Sequence, residues 1–519
     1  MSGLPAAALR LRGWIGRASM YRVVLTALLA LSAVSLILSF FGLVVPTALE
    51  ILATLAVLVV VGVGVDVAIQ RLRGGRPRVE SMLITGLILL FVLRPSAELV
   101  GLAGVALAAA AAALSKHLLA WRGRHLFNPA AVGASVLTIV GSLAPSAGLP
   151  ISAWWIGSPV LAAAVVIAGI AVLVRVGRIR LAVVFVVVAA AVYSVRTVVQ
   201  LAQYDLAVDA VAIASSALLS SPFLFLAAFM LTEPLTLPPR RGQQYAVAVL
   251  TAILAGWSPL IGSVSLGQER ALLIGNLLAF VLAVRSRPGG RMRVGGRTAP
   301  TPTSHELVLV AERPFSFAPG QYLELEVPHA RPDARGTRRE FSIVSAPEDL
   351  PALRVAYRRG SSSYKRALES AAAGDHLRVT GVWGDFTLPA NEPTRPLLWV
   401  AAGIGITPFV SQLRHLEATR RRRDIVLVYV VRSGEELAYR DLIERSGITV
   451  VVWSGERIDD LPAGWTSREG RLTAGGLAEA VGDLPARHAY VSGPPALIAE
   501  LAPELRAARS LTTDAFAGY

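Results

Sequence analysis

Arg339-Glu340-Phe341-Ser342 sets a guanidinium fork, an aromatic ring and a hydroxyl within four residues. A fork suits a pyrophosphate, a ring can lie against a planar heteroaromatic such as an isoalloxazine, and the hydroxyl one residue on can reach that ring's edge. Gly360-Ser361-Ser362-Ser363 follows, offering backbone N–H groups and hydroxyls to phosphate. Further on, the apolar run Trp399–Ala402 ends abruptly in Gly403-Ile404-Gly405-Ile406-Thr407-Pro408, and apolar residues at helical spacing come next. That is strand, turn, helix. Glycines let backbone approach a ligand, and the helix start turns its positive end to an anion. A second turn of this kind is Tyr490-Val491-Ser492-Gly493-Pro494. Each piece alone is compatible with an ordinary turn or strand; their order along the chain is the informative feature.

The elements that must position these residues differ sharply along the 519 residues. The chain is 54% hydrophobic and 16% charged, and the long apolar runs are concentrated before residue 286, so a helical membrane half and a soluble half are expected. From 292 to about 389 short alternating runs lie between turn residues, the pattern of an antiparallel barrel. From 397 apolar strands alternate with helical stretches, the pattern of a parallel α/β sheet. The boundaries read as an interfacial arm over 1–21, a transmembrane domain over 22–285, a linker over 286–291, a barrel over 292–392 and an α/β domain over 393–519. No internal repeat is legible.

Ten apolar segments, each near the ~20 residues a bilayer requires, lie near 22–45, 50–70, 80–94, 99–115, 129–145, 153–174, 181–200, 209–231, 244–264 and 270–285. Basic loops alternate with nearly neutral ones. Arg71, Arg73, Arg76 and Arg78 follow the second segment, Lys116, Arg122 and Arg124 the fourth, Arg175, Arg178 and Arg180 the sixth, Arg240 and Arg241 the eighth, and Arg285, Arg287, Arg291 and Arg293 the tenth. By the positive-inside rule both termini and the soluble half are cytoplasmic, at a cell (inner) membrane crossed many times. This placement also accounts for the net charge of +15 without nucleic acid, and the lipid bilayer is the expected partner. The chain has no cysteine, which excludes thiolate-held iron–sulfur clusters and disulfides. No metal site is expected, and an electron carrier here is flavin, haem or quinone.

Pro319-Gly320-Gln321-Tyr322, Arg339 to Ser342, Gly360 to Ser363, Gly384-Asp385-Phe386, Gly403 to Pro408 and Tyr490 to Pro494, in that order, resemble the ferredoxin–NADP reductase family over about 292–519. The resemblance implies FAD held by Arg339, Phe341, Ser342, Gly360, Ser362 and Ser363. It implies NAD(P)H held by Gly403, Gly405, Thr407, Pro408, Gly493 and Pro494, with Ser342 and Ser492 at the reacting rings and the C-terminal aromatic Tyr519 capping the flavin. Phe341 stands where Tyr is usual and Ser492 where many members have Cys. Hydride transfer depends on positioning more than on acid–base help, so neither departure disables it.

In the apolar half, two broken stretches stand out: residues 116–133, containing Arg124, Phe127, Asn128 and Pro129, and residues 232–242, containing Thr232, Glu233 and Pro234. With about ten helices they resemble the NqrB/RnfD family, the flavin-binding membrane components of the sodium-pumping NADH:quinone reductase and of the Rnf complex, which implies a flavin in the membrane. The S-G-A-T-type stretch that carries covalent FMN in that family is missing, since residues 209–216 read DAVAIASS. A non-covalent flavin, FMN or riboflavin, is therefore expected. Of the ionisable residues in apolar surroundings, Asp66 and Asp209 fall near segment ends, where an interfacial role is expected, and Glu233 lies in the T-E-P motif.

The function expected is a membrane-bound NAD(P)H oxidoreductase. It passes electrons from cytoplasmic NAD(P)H through FAD to a membrane flavin, then to a quinone or an extracytoplasmic flavoprotein. A ferric-reductase or NADPH-oxidase-like device requires paired haem-ligating histidines, and the apolar half has only His117 and His125, near one loop. A transporter regulated by a redox domain would leave the nicotinamide and flavin motifs without a task.

Overall fold

The structure is a computed structural model, and it describes residues 20–515 apart from 73–76, 78, 122–123, 235, 239, 262–263, 287–288, 331, 333–335, 390–391 and 393. Most of the expected N-terminal arm, part of the linker, the basic residues Arg73, Arg76, Arg78, Arg122 and Arg287, and Tyr519 therefore lie outside the described residues. The chain divides into two compact units, Met1–Arg285 and Ser286–Tyr519.

The first unit is helical: α1 (Met20–Phe40), α2 (Ala48–Leu72), α3 (Glu80–Val92), α4 (Leu99–Leu118), a two-stranded hairpin of β1 (Ala120–Trp121) and β2 (Arg124–His125), and α5 (Pro129–Leu143). Then come α6 (Pro159–Val176), α7 (Ile179–Gln203), a broken helix, α8 (Arg241–Trp257), a second hairpin of β3 (Leu260–Ile261) and β4 (Val264–Ser265), and α9 (Gly267–Ser286). Among the described residues six helices are long and apolar enough to cross a bilayer, or seven with the broken helix counted as one span. The reading of ten full-length segments is thus met only in part. The stretch 80–94 gives a 13-residue helix that stops before Arg94-Pro95, and 129–145 gives a 15-residue helix. The stretch 244–264 ends as a helix at Trp257, because Ser258 turns left-handed (φ +44°) ahead of Pro259. The broken helix, 210–231, bends by 44° between Ala210–Ser220 and Phe223–Leu231. Pro222 sits at the bend, where a missing N–H ends the ladder, and both flanking pieces widen into π-helical turns at Ser216–Ser220 and Leu226–Leu231.

The element order also shows a repeat that the sequence reading lacks. A helix, a two-stranded hairpin and a helix occur twice, as α4–β1–β2–α5 and as α8–β3–β4–α9. The second helix packs on the fourth in each half, α2 on α4 and α7 on α8, and the two leading helices, α1 and α6, pack on each other. Close approach rests on small residues in both halves. A Cβ at Gly133 would come 2.4 Å from the Ala108 carbonyl oxygen, and one at Gly256 would come 2.7 Å from that of Ala189. A faint sequence echo accompanies the repeat: Phe91-Val92-Leu93-Arg94-Pro95 and Phe229-Met230-Leu231-Thr232-Glu233-Pro234 close the third helix of each half.

The second unit holds two sheets. The antiparallel sheet has six strands in the order β8-β7-β10-β5-β6-β9. They are β5 (Gly290–Thr301), β6 (Ser304–Ala311), β7 (Tyr322–Glu326), β8 (Arg338–Ser342), β9 (Ala352–Arg358) and β10 (His376–Trp383), with helix α10 (Ser363–Ser370) between the last two. A bridge from Ile343 to Val355 closes the curl into a barrel around Leu307, Leu309, Leu323, Leu325 and Leu353. Strand β5 begins at Gly290, inside the segment read as linker, because Gly290 pairs with Val379.

The parallel sheet has the order β14-β13-β12-β11-β15-β16. Its elements are β11 (Leu397–Ala402), α11 (Thr407–Ala418), β12 (Ile425–Val430), α12 (Arg440–Arg445), β13 (Thr449–Ser454), β14 (Thr466–Glu469), α13 (Ala474–Ala480), β15 (His488–Gly493), α14 (Pro495–Leu505) and β16 (Ser510–Ala515). Successive strands run outward from β11 on one side, then β15 and β16 fill the other. The order reverses between β11 and β15, and a crevice outside the carboxyl ends of strands at such a switch point is where open α/β sheets bind ligands.

Candidate functional site

Both glycine turns open on that switch point. Gly403 takes a left-handed conformation (φ +52°) directly after β11, and residues Gly403–Ile406 form one tight turn before α11. Ala401 is the register partner of Ser492, so the turn after β15 lies alongside. A Cβ on Gly405 would come 2.4 Å from the Ser492 carbonyl oxygen, and one on Gly493 would come 2.9 Å from the Ala402 Cβ. The two turns therefore pack backbone to backbone, a contact that only glycine permits. The Ser492 hydroxyl is buried without a hydrogen-bond partner, as suits an atom awaiting a ligand. Thr407 contributes differently from the expectation. It is buried, and its Oγ1 donates to the Ile404 carbonyl at 3.0 Å, so it braces the turn rather than offering a hydroxyl. Pro408 is buried in the first turn of α11 and likewise shapes the helix start.

In the barrel, β8 presents Arg339 and Phe341, two residues apart and so on one face. The Arg339 guanidinium lies 4.8 Å from the Tyr364 ring centroid, and Tyr364 stacks on Phe341 at 6.1 Å and 26°. Tyr364 belongs to this group, and only its position after Gly360 to Ser363 pointed to it. The serine loop leads into α10 as a helix N-terminus, with Gly360 and Ser361 exposed. Two of its hydroxyls are committed: Ser362 Oγ accepts from the Lys365 N–H at 3.2 Å, and Ser363 Oγ pairs with His329 Nε2 at 3.3 Å. What the loop has for an anion is therefore backbone N–H groups and the helix end, not the hydroxyls. Ser342 is buried at the end of β8. The residues present fit FAD, with Arg339 and the α10 start on its phosphates and Phe341 and Ser342 toward its ring.

The barrel and the α/β sheet join close to this crevice. Gly320 (φ +90°) leaves room for the Phe386 carbonyl, which accepts from Gln412 Nε2 at 2.8 Å, and Phe386 meets Tyr490 edge-on at 5.2 Å. Asp514 is a residue the sequence reading passed over. It is the register partner of Ser492, and burial, reinforced by the negative charges of Glu340 and Asp385, pushes its carboxyl up to about 7. Its carboxyl thus lies within electrostatic reach of Glu340, in the strand carrying Arg339 and Phe341. The signal available was an acidic residue two positions before Phe516, in a stretch read only for its aromatics.

A raised carboxyl has a definite sign. The folded protein holds a proton on Asp514 that the unfolded chain releases near 3.8. The stabilisation is complete below that pH and is lost as pH rises toward 7, at no more than about 1.4 kcal/mol per pH unit. Thermal unfolding followed from pH 5 to 8 should therefore show Asp514→Asn gaining on the unsubstituted protein as pH rises. Parallel curves would remove Asp514 as the titrating group.

In the helical unit, the two broken stretches meet. Asn128 Nδ2 donates to Glu233 Oε2 at 2.9 Å, while Asn128 Oδ1 caps α5 by accepting from the Ala131 N–H at 3.1 Å. The Asn128 backbone N–H donates to Asn276 Oδ1 of α9 at 2.9 Å. Asn128, Thr232 and Glu233 line a cleft walled by Tyr21, Ser81, Thr85, Ile88, His125, Val172, Val176 and Phe229. Thr232 Oγ1 donates to the Ala228 carbonyl at 3.1 Å, so its hydroxyl stays within the helix. Phe127 is not among the lining residues, and the Arg124 side chain lies outside the described residues. Asp66 is buried within the protein and bonded to His117 Nε2 at 2.7 Å and Gln70 Nε2 at 2.8 Å. Asp209 is exposed and caps the first piece of the broken helix. Lys116 Nζ donates to Ser81 Oγ at 3.1 Å, bringing a buried ammonium to the cleft's wall.

Comparison with known proteins bears on the second unit. A family model described as oxidoreductase NAD-binding domain matches residues 399–502. The chain is 29% identical over 197 residues to the reductase component of propane 2-monooxygenase from Rhodococcus jostii, covering 36% of this chain and 50% of that protein. It is 30% identical over 139 residues to the reductase subunit of an aromatic O-demethylase from Amycolatopsis, covering 26% and 40%. It is 30% identical over 248 residues to the flavohemoprotein of Bordetella pertussis, covering 44% and 61%. The chain thus spans about half the length of the curated relatives it matches. A solved FAD/NAD-binding domain of a nitric oxide dioxygenase from Vibrio cholerae aligns at 20% identity and a TM-score of 0.37, over 44% of this chain and 99% of its own.

Proposed function

We propose, from the premise that residues 286–519 are an NAD(P)H-dependent flavin oxidoreductase module of the ferredoxin–NADP reductase type, that the whole chain is a membrane electron conduit. Electrons enter from cytoplasmic NAD(P)H, pass through FAD, reach a non-covalent flavin in the helical unit, and leave to a quinone or an extracytoplasmic flavoprotein. In this reading the helical unit lies in a cell membrane as ten crossing segments, with the shorter helices and the broken one completing their spans through the loops and hairpins beside them. Ten is even, so both ends share the cytoplasmic side, as the loop charges favour.

The FAD supplies two-electron chemistry at its ring when bound. The chain's own residues hold and orient it: Arg339 and the α10 start on phosphate, Phe341 against the ring, Ser342 at its edge. The Gly403 and Ser492 turns bring the nicotinamide to the same crevice, where Asp514 holds a proton beside Ser492.

The observation that carries the membrane step is the Asn128–Glu233 bond, which joins two stretches 105 residues apart on the wall of one cleft. Irregular backbone at membrane depth is tolerated where it lines a cavity, and both stretches do so. The helix ends around the cleft belong to the side where α1 and α3 begin and α6 ends, which under this topology faces the cytoplasm. Haem ligation is disfavoured by His117 being held by Asp66 and by His125 being held on the Lys116 backbone. Mass spectrometry of cofactors released before and after denaturation should find FAD plus one further flavin per chain, both freed without proteolysis. FAD alone would remove the membrane flavin, and a flavin released only with peptide attached would reverse the non-covalent assignment.

A further inference from the structure

Among the described residues that line the cleft, His125 is the one with a buried side-chain polar atom that has no hydrogen-bond partner; that atom is Nδ1. The ring's other nitrogen is bonded to the backbone of Lys116, at the end of α4. Only a ring N–H can bond that carbonyl, so in the neutral imidazole Nε2 carries the hydrogen and Nδ1 is left as a lone pair. A buried lone pair on a side chain that lines a cavity asks for a donor. Several neighbouring polar groups are already engaged: Thr85 and Thr232 within their own helices, Ser81 by Lys116, Asn128 by Glu233.

Building on the proposed membrane carrier, we infer that His125 makes the cleft selective for the reduced form of its ligand, a planar redox ring that gains an N–H or O–H on reduction. The oxidised ring offers an acceptor where Nδ1 also has a lone pair, and the two repel. The reduced ring offers a hydrogen to that lone pair. Reduced flavins and quinols share this chemistry. Lys116, held at the wall through Ser81, adds a positive charge that favours the electron-richer state. The binding preference makes the site a better electron acceptor than the free ring.

The test uses the full chain in detergent, with FMN, riboflavin and menadione supplied as separate probes in oxidised and dithionite-reduced form. The protein should bind the reduced form of one of them more tightly. His125→Leu should weaken that form about tenfold and leave the oxidised form within about twofold. For a two-electron ring this lowers the bound midpoint potential by about 30 mV. His125→Gln, whose amide oxygen still accepts, should restore most of the preference. An unchanged unfolding temperature and unchanged NAD(P)H:ferricyanide activity exclude misfolding.

Equal weakening of both forms, or no change in either, overturns the inference even if a second flavin is found. Selectivity lost in His125→Leu for menadiol, in a protein whose only flavin is FAD, upholds the inference and overturns the flavin carrier. Binding of none of the probes overturns both.

Discussion

Sealed vesicles with the reductase half outermost will reduce an impermeant acceptor trapped inside them when NADH or NADPH is added outside, and Glu233→Ala will bring that flux to background. Ferricyanide supplied on the outer side will still be reduced at the full rate, because the nicotinamide crevice and the barrel lie in a separate compact unit. The expectation follows from distance. A hydrocarbon core is ~30 Å thick, so electrons need a carrier held within it, and Glu233 is the carboxylate joined to Asn128 on the wall of the cleft. An electron leaving a cell that is negative inside gains about 2.3 kcal/mol per 100 mV, so the flux needs no pump. Asn128 requires a careful substitution, since its Oδ1 also caps α5. Replacement by Ala would cost about 0.5–2 kcal/mol of helix stability as well. Asn128→Ser keeps a capping oxygen and removes the amide donor to Glu233, so it should share the Glu233→Ala defect in a fully folded protein. Loss of outer ferricyanide reduction in step with the transmembrane flux would place these residues in the stability of the whole chain and sink the conduit.

Arg339→Ala will strip flavin from the protein. One charge-assisted contact to a phosphate contributes about 1.5–3 kcal/mol, so FAD affinity should fall by about tenfold to a hundredfold. The yellow chromophore should then separate from the protein on gel filtration. NAD(P)H oxidation should fail with it and return when excess FAD is added. Arg339→Lys keeps the charge but not the planar fork or the guanidinium over Tyr364, and its affinity should fall between the two. Flavin retained by Arg339→Ala through gel filtration would move the pyrophosphate elsewhere, with the α10 start as the remaining anchor.

The order of the glycine and arginine motifs was legible because each demands a residue type locally: no side chain fits at Gly405 against Ser492, and Gly403 sits in a left-handed turn. The two sheets were legible for the same reason, as period-two runs separated by turn residues. Much of what escaped depends on partners distant in the chain. The Ser363 hydroxyl is taken by His329, 34 residues upstream; those of Ser362 and Thr407 bond only three residues along the chain, as a helix cap and a turn brace, which motif matching assigned to ligand. Asp514 gains its character first from burial in the folded chain and then from Glu340 and Asp385, more than a hundred residues away. Hydropathy alone gave ten even segments because it registers composition, while Pro222 and Ser258 decide where the helices break or stop. His125 was weighed only as a haem ligand, and its bare nitrogen became visible through the cleft.

The parallel sheet carries a consequence for biosynthesis. Strand β11 pairs with β15 beginning at Leu397 and His488, and β15 pairs with β16 beginning at His488 and Ser510. Closing so long an interval delays the contact relative to local structure. On a ribosome, the helices of the first unit emerge before any of these strands, and the barrel emerges before the nicotinamide crevice. A polypeptide interrupted at any point before β15 therefore carries helices, and even a barrel, with no place for the nicotinamide. Incomplete chains are electrically silent: they have no means of drawing reducing equivalents from the cell and spilling them onto oxygen, and the capacity to do so arrives only with the strands that finish the sheet.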